Sequence, residues 1–406
     1  MTLKKQYTSR WSILTVGVFT MLFAGIIYAW SILKIPFAEE LGYQGEVLAL
    51  NFTLTMSFFC IGGVISNLFV RRLGTGCTLI LAGLMAGIGF ILSSFLNSGS
   101  AWMLYLTYAF LGGSGIGIAY IVIISTVNAW FPDKRGTSSG ALMMGFGTSS
   151  LILGNAADAL FRTALGWRMT YIILGAALAV VLIVAAMIIR KPDPSITLPV
   201  PKKKSAACEE NFVVCDFTPL EMIRRFSFWR AFLAFLCITA VGNSVISFAR
   251  DLALSVGAEA VLATTLVGVL AVCNGIGRII TGTVFDAMGL RFTMIAANIL
   301  TIAAAAVTLI AVCIGSLPLC IAGLCLTGMS YGSAPTNISA FTSAFYGTGH
   351  FASNLGILNL NLMFASFVAT ACSSLFSSTG GYTAPFILLL TLATVALGLN
   401  ISIRKP

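Results

Sequence analysis

The chain has 406 residues, 58% of them hydrophobic and only 9% charged, where soluble globular proteins carry about 25% charged residues. That balance excludes a soluble globular protein and predicts a polytopic membrane protein. A formal net charge of +10 raises the question of a nucleic-acid partner, which the placement of the charges answers.

Apolar stretches of about 20 residues, enough to cross a bilayer, recur along the whole sequence. They predict an all-α integral membrane fold with twelve transmembrane helices, at 11–33, 47–70, 77–97, 101–129, 138–158, 168–189, 228–249, 259–284, 292–314, 317–340, 352–376 and 382–403. The opening "MTLKKQYTSR" runs directly into the first span, so no cleaved signal is expected. With the N-terminus inside, 18 of the 23 Lys and Arg fall on the cytoplasmic side, among them Lys4, Lys5, Arg10, Arg71, Arg72 and Lys405. Only Lys34, Arg162, Arg168 and Arg250 fall outside, and Arg278 lies within a span. This is the positive-inside pattern of a multi-pass cell-membrane protein with both ends in the cytoplasm. The charge reports topology, and no nucleic-acid partner is expected.

Residues 190–227 are the one long polar stretch, with five prolines, mixed charge and no sustained apolar period. They read as a cytoplasmic linker between a first bundle, 1–189, and a second, 228–406. The two halves share punctuation. Trp11 precedes Gly74 of "RRLG" by 63 residues, and Trp229 precedes Gly289 of "GTVFDAMGLR" by 60. Two pseudo-symmetric six-helix bundles around a midplane cavity form an architecture suited to alternating access.

The ten cysteines follow no metal pattern, and Cys208 and Cys215 of the linker have no nearby histidines. No metal or cofactor is expected. "GGSGIG" at 112–117 follows no strand, so it reads as close helix packing instead of a dinucleotide loop. There is no H-E-x-x-H or G-x-S-x-G, and the one histidine, His350, lies at a loop edge. An enzyme is not expected. A transporter-derived sensor is disfavoured because the chain stops shortly after its last span.

The stretch "VLATTLVGVLAVCNGIGRIITGTVF" carries one charge, Arg278. An ionisable residue inside the membrane is by default a functional site. Its natural counter-ion is missing, because all 13 acidic residues lie in loops or at span ends. A guanidinium stays charged and forks onto a carboxylate, so an anionic substrate would supply the missing charge.

"GTVFDAMGLR" resembles the G-x-x-x-D-x-x-G-x-R loop of the major facilitator superfamily, here Gly282, Asp286, Gly289 and Arg291. The N-terminal copy, "GVISNLFVRRLGTG", carries Arg71 where the acid is expected. "IYAWSILKIPF", "NAWFPDKRGTSSGALMMGFG", "GWRMTYIILG" and "FYGTGHFASNLGILN" are similar to segments of the oxalate/formate antiporter family, with vertebrate monocarboxylate transporters as more distant relatives. The resemblance covers nearly the whole chain. It implies a transporter working by alternating access, usually as a monomer, and gating roles for Gly282, Asp286, Gly289 and Arg291. Asp133 and Arg135 of "WFPDKRG" are expected to share in gating.

In the resembling families, an arginine of the eighth span in an N-G-x-x-R setting contacts the substrate carboxylate; Arg278 takes that position. Asn274 stands where vertebrate monocarboxylate transporters carry an Asp tied to proton coupling. Oxalate-specific members use a second cation that corresponds to Leu362 here. One midplane charge disfavours a dianion. The expected substrate is a small monocarboxylate such as lactate, pyruvate or formate, moved with protons, with oxalate/formate-type exchange as the alternative. Asn274, Tyr28, Tyr120, Tyr331 and Asn359 are further candidates for the binding site. Asn359 and Asn361, two residues apart on a helix, are not expected to face the cavity together.

Overall fold

The computed structural model describes residues 2–99, 101–193, 198–199 and 216–404. Cys208, Cys215, Lys405 and much of the expected linker lie outside the described residues. In lipid every backbone polar group must be satisfied within the protein, and continuous helix does this. Among the described residues, ten helical stretches are long and apolar enough to cross a membrane. One of them, Leu50–Ser93, holds two spans that turn at Gly74, and a further span over 135–161 is divided by a π-helical turn. The expected twelve are therefore present.

We label them in chain order. α1 is Thr2–Ala24, continued by a 3-10 turn at Gly25–Ala29; α2 and α3 are residues 45–73 and 75–93. α4 covers 101–128, including π-helical Tyr105–Gly113. α5 is Arg135–Ser149, followed by π-helical Ser150–Gly154 and Asn155–Phe161; α6 is Gly166–Ile188. The second half holds α7 (Phe226–Ser255), α8 (Ala260–Met288), α9 (Leu290–Ile314) and α10 (Leu317–Tyr346). α11 comes in two pieces, Phe351–Leu358 and Leu360–Thr379, and α12 is Thr383–Ile401.

The internal repeat is visible in the backbone. Gly74 turns α2 into α3 at φ 79°, ψ 170°, and Gly289 turns α8 into α9 at φ 85°, ψ 173°. Only glycine takes such angles without strain, so the two shared glycines mark matching corners. The "GGSGIG" segment packs as expected: a Cβ on Gly117 would lie 2.0 Å from the Phe59 carbonyl oxygen, and one on Gly113 2.7 Å from that of Thr55. α4 thus lies against α2 at backbone distance, the small-residue mode of helix association in lipid. Large apolar side chains such as Phe95, Trp102 and Val261 cover the outside.

We call the face that carries Arg10, Arg71, Asp133, Asp286 and Arg291 the basic face. There the halves meet along a seam between α5 and α8, where a Cβ on Gly282 would lie 2.3 Å from the Gly136 carbonyl oxygen. α2 meets α11 likewise, with Gly356 within 2.9 Å of the Gly63 carbonyl oxygen by the same measure. The seam closes the basic face and leaves a cavity above it.

Candidate functional site

α8 places Asn274, Arg278 and Gly282 one turn apart on a single face. Arg278 is 1% exposed and is the largest fully buried side chain. Its Nε donates to Asn274 Oδ1 at 3.0 Å, and its Nη1 donates to the carbonyl of Met143 on α5. Arg278 takes no part in the ion pairs Arg10–Asp133 and Arg162–Asp158, and among the described residues no carboxylate neutralises it. Burying a cation without a counter-charge is costly. Here neutral oxygens alone offset that cost.

The guanidinium borders a cavity of about 30 Å³, shared with Tyr28, Tyr120, Tyr331, Asn359 and Asn361. Phe59 and Phe146 form the apolar wall with the tyrosines: Tyr120 and Phe146 have centroids 5.0 Å apart, Phe59 and Tyr120 5.2 Å, and Tyr28 and Phe146 5.3 Å. Pro335, also in the wall, has no N–H to give to the Tyr331 carbonyl four residues earlier, which loosens α10 beside the cavity.

Four of the expected binding residues besides Arg278 line this cavity: Tyr28, Tyr120, Tyr331 and Asn359. Asn274 is not among the lining residues; its oxygen orients Arg278. The expectation that Asn359 and Asn361 could not share the cavity is corrected, because α11 is broken at Asn359. Leu362 N reaches back only three residues, to the Asn359 carbonyl, at 3.0 Å, and this tight turn brings both carboxamides to the same side. Asn361 Oδ1 accepts from Thr239 Oγ1 of α7 at 3.1 Å. Thr239, Phe59 and Phe146 were missed in the sequence, where a threonine or phenylalanine in an apolar span carries no signal. Leu362, where a second cation would sit, also lines the cavity.

On the basic face, Asp286 accepts from the Gly136 amide at 3.0 Å, the Thr137 amide at 2.8 Å and Thr137 Oγ1 at 2.5 Å. It caps α5 of the other half. Arg135 begins α5. Asp133 pairs with Arg10 at 2.8 Å inside the first half, and Arg291 is exposed. At the pseudo-symmetric corner, Arg71 faces His350 at 3.3 Å instead of supplying a carboxylate. The amides of Thr348 and Gly349 take one from elsewhere, Asp216 Oδ1 at 2.7 and 2.8 Å.

Twelve spans closed on one face around a buried, carboxylate-free cation define a membrane carrier. The chain belongs to the Major Facilitator Superfamily, whose family model matches residues 13–370. It is a transporter and not an enzyme. It is 25% identical over 361 residues to the uncharacterized MFS-type transporter YhjX of Escherichia coli (strain K12), covering 89% of this chain and 86% of that one. It is 28% identical to the oxalate:formate antiporter of Oxalobacter formigenes over 70% of this chain and 66% of that protein. Human monocarboxylate transporter 2 is 29% identical over 41% of this chain, and the match spans only 33% of that protein. Among solved structures, the proton:xylose symporter XylE aligns with TM-score 0.74 at 15% identity over 98% of this chain and 97% of that one. FucP in its outward conformation aligns with TM-score 0.70 at 11% identity over 98% and 100%. These two share the fold.

Proposed function

We propose that this transporter moves a small monocarboxylate anion, of the lactate, pyruvate or formate kind, across the cell membrane by alternating access. Arg278 is the anion receptor. The observation that carries this reading is a guanidinium buried without a carboxylate at the edge of a 30 Å³ cavity. One cation and a neutral Leu362 match one negative charge, since each further charge would enter the cavity without compensation. Tyr28, Tyr120, Tyr331 and Asn359 supply hydrogen bonds around the bound anion. The basic face is the cytoplasmic one, both chain ends lie there, the bundles 1–189 and 228–406 rock about the linker, and the carrier works as a monomer.

Proton-linked transport is the first reading of the coupling, by likeness to the monocarboxylate transporters. A second reading, anion exchange, is favoured by one feature of the cavity. Among the described residues neither an acid nor a histidine lines it, so the cavity offers a coupling proton no carboxylate or imidazole beside Arg278. Exchange also suits a cation that is best compensated when loaded.

Proteoliposomes separate the two. Labelled L-lactate uptake driven by an inward proton gradient and abolished in Arg278→Gln is the result expected for symport. No gradient-driven uptake, with rapid uptake after preloading with formate, assigns exchange. Uptake that survives Arg278→Gln refutes the receptor role.

A further inference from the structure

Three glycines on one face of α5, Gly136, Gly140 and Gly147, carry that helix along α8. A Cβ on Gly136 would lie 2.5 Å from the Gly282 carbonyl oxygen, and one on Gly140 2.5 Å from that of Arg278. The three atoms nearest to one on Gly147 all belong to the Arg278 side chain, the guanidinium carbon at 2.9 Å, Nε at 3.1 Å and Nη1 at 3.2 Å. The tip of the Arg278 side chain is therefore laid on the bare backbone of α5. One turn away on α5, the Met143 carbonyl accepts from Nη1, while Asn274 of α8 accepts from Nε. The same guanidinium is thus held from both halves of the molecule. Rocking α5 away from α8 removes the Met143 carbonyl and leaves the charge with Asn274 alone.

We propose that Gly147 and the Met143 carbonyl form a seat that latches Arg278 across the halves while the seam is closed, and that an entering carboxylate competes with that carbonyl for the guanidinium. Gly147 is then a positioning residue acting through Arg278. Only the competition rests on the anion reading above; the latch itself needs no anion.

Amide hydrogen exchange on the purified full chain without added anion tests it, followed at residues 136–148 and 275–286. The atoms nearest the added methyl in Gly147→Ala are the flexible tip of Arg278, so the guanidinium leaves its seat before the helices part. Exchange in both segments is expected to rise about tenfold, the scale of one charge-assisted hydrogen bond. Gly268→Ala, whose Cβ meets only Leu151 at 3.6 Å, is expected to match the parent. Arg278→Ala is expected to reproduce the acceleration, and adding Gly147→Ala to it to change nothing more, because both remove one contact. Parent-like exchange in Gly147→Ala overturns the latch. So does further acceleration on the Arg278→Ala background, which would make Gly147 a packing residue. If the parent carries no labelled monocarboxylate, the transport reading fails while the exchange result still decides the latch.

Discussion

Asp286, near the end of α8, caps α5 in the opposite half of the molecule, taking the Thr137 amide at 2.8 Å and the Gly136 amide at 3.0 Å. A carboxylate at a helix N-terminus satisfies orphan amides and meets the positive end of the helix dipole, worth about 0.3–1 kcal/mol when exposed and up to ~2 when partly buried. Asp286→Asn keeps the shape and one acceptor but loses the charge. Amide exchange over 135–149 is expected to speed up roughly fivefold. Uptake should slow while the half-saturating anion concentration stays within about twofold, since Asp286 does not line the cavity. A large affinity change with an unaltered seam would contradict the assignment.

Gly282 and Gly136 touch backbone to backbone, and a Cβ on Gly282 would lie 2.3 Å from the Gly136 carbonyl oxygen. Neither side can yield as a flexible side chain would. Gly282→Ala should therefore part the seam, with faster exchange at 136–140 and uptake down at least about tenfold. Parent-like rates would show that the halves do not close here.

Arg278→Lys keeps the charge and discards the fork. An ammonium on a flexible stem does not reproduce the Nε and Nη1 geometry that holds Asn274 and Met143 together. Monocarboxylate uptake is expected to fall at least about tenfold, with the melting temperature shifted by only a few degrees. Uptake equal to the parent would mean that charge alone suffices.

Leu362 lines the cavity beside Asn361. Leu362→Lys brings a second cation to a site with one, so dianion uptake, measured with labelled oxalate, should appear and monocarboxylate uptake should decline. Unchanged selectivity would separate cavity charge from substrate choice.

Glu221 is held below its ordinary value of 4.5 by the Thr218 amide first and the Thr218 hydroxyl second. A depressed folded value means the capping box at 218–221 contributes above pH 4.5 and is lost as pH falls through the folded value. Protection at 219–223, measured as exchange relative to the intrinsic rate at each pH, should fall on acidification in the parent and lose that step in Glu221→Gln. A step that persists in the variant belongs to another group.

The spans, the repeat and the isolated charge were all legible in the sequence, because length, hydropathy and a missing counter-ion are properties of composition. Helix rotation was not. In a span apolar on every side the 3.6-residue period carries little signal, so Phe59 and Phe146 looked like any other core residue. The paired use of Asn359 and Asn361 depends on a break in α11 that no proline or glycine announces at that point. Asn274 was found in the right place but with its oxygen turned to Arg278 instead of the cavity. The motif marked Asp286 but not its partner, the start of α5, and Asp216 at the α10–α11 turn is likewise a long-range contact with no local pattern.

The most direct test of Arg278 as the anion receptor is counterflow. Liposomes holding the purified carrier are preloaded with unlabelled monocarboxylate, and entry of the labelled acid is followed without any ion gradient. Symport, uniport and exchange all support this reaction, so the outcome does not depend on coupling. The account predicts strong label accumulation by the parent and background levels in Arg278→Gln. Accumulation by Arg278→Gln equal to the parent would contradict it.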